Sequence, residues 1–174
     1  MLAFGRIDNL VIVYDLATRK IVSQFEAFQH PGAGVTWVSF SPRGDMIAAG
    51  TASFETLVHG PNGKTEKVPP DPGTVRIFRT ANGANVASFA GRLPGGSEGQ
   101  WSPAGPYIAI TGEWDLYIWN PFKPGSAVNI AGLRRGGFGL AFSPDGSCLA
   151  VNNGPSVTIF DLIHKCDASH GGTP

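Results

Sequence analysis

A short apolar strand closed by an aromatic residue recurs at a fixed interval in this chain. It reads Leu10-Val11-Ile12-Val13-Tyr14, Thr74-Val75-Arg76-Ile77-Phe78, Asp115-Leu116-Tyr117-Ile118-Trp119 and Ser156-Val157-Thr158-Ile159-Phe160. Apolar side chains at every second position mark a strand with one buried face. Phe78 to Trp119 and Trp119 to Phe160 are each 41 residues. Three turns keep the same beat: Ser41-Pro42-Arg43-Gly44, Ser102-Pro103-Ala104-Gly105 and Ser143-Pro144-Asp145-Gly146. Pro second and Gly fourth suit a type I turn. A period of this length with several short strands per repeat demands an array of stacked β-sheets, because one repeat cannot bury its own apolar face.

Composition narrows the class further. The 174 residues include 24 Gly and 14 Pro, and only 15% are charged, against a usual ~25%. So much Gly and Pro excludes a coiled coil or helical bundle. A hydrophobic share of 42% argues against disorder. Thirteen basic and thirteen acidic residues give zero net charge and a pI near 6.9, so no nucleic-acid partner is expected on electrostatic grounds. No apolar run reaches the ~18 residues of a membrane-crossing helix. Met1 to Gly5 has no basic region followed by a long apolar stretch, so no signal peptide is expected. Cys148 sits in a strand pattern and Cys166 in a polar tail, which leads to the expectation of two free thiols and a cytoplasmic, reducing compartment.

The repeat resembles that of WD40 β-propellers. The motifs carrying the likeness are Val38-Ser39-Phe40-Ser41-Pro42, Leu140-Ala141-Phe142-Ser143-Pro144-Asp145-Gly146, and the strands ending at Asp15 and Asp161. No strand ends in Trp-Asp; the nearest are Tyr14-Asp15, Trp119-Asn120 and Phe160-Asp161. The resemblance implies an all-β propeller of about four WD40-like blades. Each blade runs from inner to outer strand as a, b, c, d. Strand a falls at 35–40, 97–101 and 138–142, and strand b at 2–5, 46–51, 107–111 and 148–152. Strand c falls at 10–15, 74–79, 115–119 and 156–161, and strand d at 20–25, 85–89 and 127–130. That gives fourteen strands and no helix, with two blades complete and two partial. Residues 1–163 form the partial propeller, with an insertion loop at 54–73, and residues 164–174 a flexible tail. Rings usually need four to eight blades. The expectation is therefore an incomplete ring, finished by a missing chain segment or by oligomerisation.

Few residues point to chemistry. Gly95-Gly96-Ser97-Glu98-Gly99 matches a hydrolase elbow, but the elbow must lead into a helix and this stretch leads into a strand pattern. Gly60-Pro61-Asn62-Gly63-Lys64-Thr65 lacks the phosphate-loop spacing. His164, Cys166 and His170 crowd the tail without a rigid frame, so no metal and no cofactor are expected. Asp15 and Asp161 occupy one repeat position in different blades, which makes them strand-end caps rather than a catalytic pair. The chain is read as non-enzymatic.

The resemblance places d–a and b–c loops on one face, the top. Arg92, Arg134 and Arg135 fall in d–a loops, Lys64 in the b–c insertion and Trp114 in a short b–c turn. These five are the candidate partner-binding residues of a protein-interaction or scaffold module. Leu133-Arg134-Arg135-Gly136 also resembles the signature of phosphoinositide-binding propellers, which implies a membrane-lipid alternative. A third reading is the accessory propeller of a larger enzyme.

Overall fold

The computed structural model describes residues 1–29, 34–51, 56–59, 64–68, 75–89, 93, 98–112, 114–133 and 139–163, with the side chains of 56–59 and 66–68 left aside. Its first sheet holds β1 (Leu2–Gly5), β2 (Leu10–Asp15) and β3 (Lys20–Glu26). The second holds β4 (Trp37–Phe40), β5 (Met46–Gly50), β8 (Val75–Arg79) and β9 (Asn85–Ser88), with a separate hairpin of β6 (Thr56–His59) and β7 (Thr65–Val68) inserted between β5 and β8. The third holds β10 (Glu98–Trp101), β11 (Ile108–Thr111), β12 (Asp115–Trp119) and β13 (Val128–Gly132). The last holds β14 (Leu140–Phe142), β15 (Cys148–Asn153) and β16 (Ser156–Asp161). Every sheet is an antiparallel meander, and no helix occurs among the described residues. The innermost strands β1, β4, β10 and β14 neighbour one another in that order, so the sheets stack as consecutive blades of an arc.

The fourteen blade strands match the expected set. The insertion differs, because β6 and β7 form a hairpin where the sequence reads as loop. Its flanks, Thr56-Leu57-Val58-His59 and Thr65-Glu66-Lys67-Val68, are β-prone segments around an Asn62-Gly63 pair, a hairpin signature hidden by the surrounding prolines.

One rule of side-chain size governs every seam between blades. Within each blade, an alanine of the b strand sits opposite a branched residue of the c strand: Ala3–Val13, Ala48–Ile77, Ala109–Ile118 and Ala150–Ile159. One residue earlier on b and one later on c, the opposed pair is bulky and aromatic: Leu2–Tyr14, Ile47–Phe78, Ile108–Trp119 and Leu149–Phe160. Alternation sends these pairs to opposite faces. The alanine face packs on the aromatic face of the following blade. Val13 and Ala3 cluster with Ile47 and Phe78, Ala48 and Ile77 with Ile108 and Trp119, and Ala109 and Ile118 with Leu149 and Phe160. A small residue on one face leaves room for a ring on the other. Val11, Val13, Val75, Ile77 and Leu116 are fully buried this way, and each such side chain contributes roughly 1.5–3 kcal/mol.

Hydrogen bonds lock the inner strands across the seams. The Trp101 backbone N–H donates to Ser39 Oγ at 3.2 Å, and the Phe142 N–H to Gln100 Oε1 at 3.1 Å. Ser39 and Gln100 hold the same repeat position, two residues before the turn serine. That serine then closes its own turn. Gly44 N–H donates to the Ser41 carbonyl at 2.8 Å, and Gly146 N–H to the Ser143 carbonyl at 2.9 Å. Both glycines have a φ of 70°, a region in which only glycine is comfortable.

Cys148 is disulfide-bonded, which corrects the expectation of two free thiols. The β-register supplies the reason. Cys148 opens β15 opposite Asp161, and five residues after Asp161 the chain has its only other cysteine, Cys166, outside the described residues. Five residues span up to ~17 Å, ample to return. The argument from free thiols to a reducing compartment falls with it.

Candidate functional site

Antiparallel meanders put their connections alternately at two ends. One end carries the a–b connections 41–45, 102–107 and 143–147 and the c–d connections 16–19, 80–84 and 120–127. The other carries the d–a connections 27–36, 89–97 and 133–139 and the b–c connections 6–9, 51–74, 112–114 and 154–155. The two ends differ in character.

The first end is tied down by its own short-range bonds. Asp15 Oδ1 accepts from the N–H groups of Ala17 at 2.8 Å and Thr18 at 3.4 Å, and Asp161 Oδ1 from Ile163 N–H at 3.0 Å, so both act as strand-end caps as expected. Asp145 Oδ1 accepts from Ser143 Oγ at 2.7 Å, Ser147 N–H at 3.0 Å and Ser147 Oγ at 2.8 Å. These bonds, the Ser143 hydroxyl foremost, pull its pKa down to about 2. The Ser41 hydroxyl lowers Asp45 and the Ala17 amide lowers Asp15 in the same manner. Carboxylates stabilised as anions by turn donors are locks rather than proton carriers. A recess of about 340 Å³ lies at this end between the second and third blades. Its charged lining residues, Arg43 and Asp45, are paired with each other at 2.8 Å.

At the opposite end each d–a connection is seated on a buried apolar plug. Phe28 and Leu93 are fully buried and Leu133 nearly so, one in each d–a connection. Arg76 Nη1 donates to the Ala27 carbonyl at 2.9 Å, and its guanidinium lies 5.3 Å from the Phe28 ring centroid. Asn9, buried and at φ 69°, accepts the Gly34 N–H on its Oδ1 at 2.7 Å and the Ala27 N–H on its carbonyl at 2.8 Å. It thereby ties the first b–c turn to the first d–a connection. Leu133 N–H donates to the Trp114 carbonyl at 2.6 Å, which ties the third pair.

Among the residues expected to meet a partner, Trp114 has 46% of its surface exposed beside Leu133, and Lys64 is exposed just before β7. Arg92, Arg134 and Arg135 lie outside the described residues, as do the tail residues His164, Cys166 and His170 and the loop residue His30. Arg92 and Arg134 each adjoin a buried plug in sequence, Leu93 and Leu133 respectively. Trp101 and Trp119 are buried in the core and Trp37 is half-buried. The Gly95–Gly99 stretch enters β10 directly, so its Glu98-Gly99 portion is strand. Several exposed apolar residues escaped the sequence reading: Leu16, Tyr107 and Phe122 at the first end and Ile7 at the second. Ile7 is 88% exposed at the tip of the first b–c turn, and its backbone approaches Gly34, where an added Cβ would stand 3.5 Å from the Ile7 Cα. A lone isoleucine between Arg6 and Asp8 in a turn was the available signal. Among the described residues, no group of three His, Cys, Asp or Glu could hold a metal ion.

Comparison with known proteins agrees with this architecture. The family described as WD domain, G-beta repeat matches residues 20–56, from β3 of the first blade to the start of β6. Among solved structures, the crystal structure of the Myceliophteria thermophila Cps50 (Swd1) β-propeller domain superposes with a TM-score of 0.63 at 15% identity. The chain has the fold of a β-propeller, and one stretch of it matches the WD repeat. The superposition covers 91% of this chain and 47% of that one, so the four blades span about half of the Cps50 domain, and they do not close a ring. No curated protein matches. WD40 propellers are in general scaffolds for protein interaction.

Proposed function

We propose that this chain is a non-catalytic interaction module that binds a protein partner through the end of the blades carrying the d–a and b–c connections. The observation that carries the reading is the asymmetry between the two ends. One is closed by turns in which Asp15, Asp45, Asp145 and Asp161 accept short-range hydrogen bonds. The other holds the 51–74 insertion with its β6–β7 hairpin, exposed Ile7 and Trp114, and connections rooted on Phe28, Leu93 and Leu133. Long connections on a rigid frame concentrate recognition. An exposed aromatic with arginines in the adjoining sequence is the composition of an interface hot spot. Arg92, Arg134, Arg135, Lys64 and Trp114 are the residues assigned to it, and Ile7 joins them as an apolar contact.

The test is a pull-down comparing wild type with the Arg134→Glu/Arg135→Glu pair and with deletion of residues 55–72, each checked for folding by circular dichroism. Loss of the recovered partner in either variant is expected. Undiminished recovery by both would sink the reading. A flotation assay with phosphoinositide vesicles runs alongside. Flotation abolished by the arginine pair, with protein recovery unchanged, would replace the protein-partner reading by the lipid one.

A further inference from the structure

The recess of about 340 Å³ between the second and third blades holds a buried donor that no described residue answers. Trp101 lines this recess and is 5% exposed, and its indole N–H has no hydrogen-bond partner. The polar side chains beside it are already engaged. Ser41 Oγ donates to Asp45 Oδ1 at 2.9 Å and accepts the Met46 N–H at 3.1 Å, and Arg43 Nη2 donates to Asp45 Oδ2 at 2.8 Å. Arg43 and Asp45 also cancel in charge, and the remaining wall is largely Met46, Pro42, Pro103, Pro106 and Phe122. Phe122 borders a second recess as well, of about 650 Å³, along β9 and the 120–127 connection, together with Tyr117, Trp119, Pro121 and Pro124. Its ring is 51% exposed and stacks on Trp101 at 6.3 Å between centroids. The two recesses thus adjoin at one exposed ring, and all these residues belong to the two four-stranded blades or their own connections.

We propose that this trough of rings and prolines binds a proline-rich segment of another protein in the polyproline II conformation. The Trp101 indole N–H donates to one of its carbonyls as the exposed Phe122 ring turns aside. The chemistry of the recess selects that ligand. A buried donor without a partner is costly, and a carbonyl oxygen relieves it. With the side-chain acceptors of the recess engaged, the ligand must bring acceptors without donors. Proline has a carbonyl and no N–H, and a polyproline II chain makes no internal hydrogen bonds, so its carbonyls are available. A helix spends its carbonyls internally except in the last turn, and a non-proline strand brings an N–H with every carbonyl. Aromatic-lined grooves suit such segments, which are already extended and lose little entropy on docking. A charged ligand finds no unpaired charge in the first recess. The site lies at the end opposite the d–a and b–c connections, so the inference does not depend on the partner-binding reading.

The experiment is fluorescence anisotropy of a fluorescein-labelled decaproline titrated with the 1–174 chain up to about 1 mM. Wild type should bind it saturably, and a Gly-Ser peptide of the same length should not bind. Trp101→Phe keeps a ring and removes the N–H, and should weaken binding about 10-fold. Phe122→Ala, at an exposed position that the fold does not need, should weaken it by at least about 5-fold. In a proton–nitrogen correlation spectrum, the Trp101 indole resonance, identified by its absence in Trp101→Phe, should move downfield on adding decaproline. No saturable binding by wild type would overturn the proposal, as would equal binding of the Gly-Ser peptide or full affinity in both variants. An indole resonance of Trp101 that stays in place at saturation would overturn the assigned hydrogen bond.

Discussion

Replacing Phe89 by alanine should be among the most damaging single changes in the second seam. Phe89 follows β9, is 1% exposed, and donates its backbone N–H to the Val75 carbonyl at 2.8 Å. Its ring bridges blades, meeting Tyr117 edge-on at 5.3 Å and Trp119 at 5.5 Å between centroids. Truncating a buried phenylalanine costs about 3–5 kcal/mol when the surroundings cannot collapse. The two edge-to-face contacts, roughly 0.5–1.5 kcal/mol each, form part of that. For a chain of this size each kcal/mol moves Tm by roughly 2–4 °C, so a loss of about 4 kcal/mol lowers Tm by about 8–16 °C. Val86→Ala, at an exposed position of the preceding strand β9, is the control and should cost under about 1 kcal/mol. Urea denaturation followed by circular dichroism reads both. A double-mutant cycle of Phe89→Ala with Trp119→Leu should show coupling above about 0.5 kcal/mol, because the rings touch. A Phe89→Ala cost below about 1 kcal/mol, or strict additivity with Trp119→Leu, would refute the packing of the second blade on the third.

Gly146→Ala should destabilise more than Gly44→Ala. Both sites have φ of 70°, but an added Cβ at 146 stands 2.5 Å from Ala104 Cβ, whereas at 44 the nearest atom is the flexible Met1 Cε at 3.4 Å. Thermal melts should show ~1–2 kcal/mol for the strained backbone at each, plus a further ~1–3 kcal/mol of overpacking at 146. Ser39→Ala should cost about 1 kcal/mol by removing the acceptor for Trp101 N–H, read as a shift in urea midpoint at constant slope. The pKa of Asp145 is lowered in the fold from its ordinary 3.8 to about 2. Its contribution to stability is therefore fully present above pH ~3.8 and is lost as pH falls through about 2. Asp145→Asn should flatten the acid limb of a Tm–pH curve in that window and leave the neutral region's slope unchanged.

The blade strands were legible because the chain states them repeatedly. Four c strands ending in Tyr14, Phe78, Trp119 and Phe160, set against three Ser-Pro turns, fix period, register and strand order together. The β6–β7 hairpin was hidden because Pro61, Pro69, Pro70 and Pro72 outweighed two four-residue segments with no repeat partner. The size rule across seams was present as Ala3, Ala48, Ala109 and Ala150. It has no meaning until register shows that each alanine opposes a branched residue and faces away from the aromatic. The Cys148 disulfide likewise depends on β15 and β16 pairing in register. For the partner-binding end, the loop set followed from strand order alone. The plugs Phe28, Leu93 and Leu133 are ordinary apolar residues in loop-like sequence, and only their burial distinguishes them.

Hydrogen exchange on the complex of wild-type chain with its recovered protein partner tests the central claim most directly. Binding through the loop end predicts slowed exchange in residues 27–36, 51–74, 89–97 and 133–139, with the turns at 41–45, 102–107 and 143–147 unchanged. Protection confined to those turns, with the loop end exchanging as in the free chain, would contradict it.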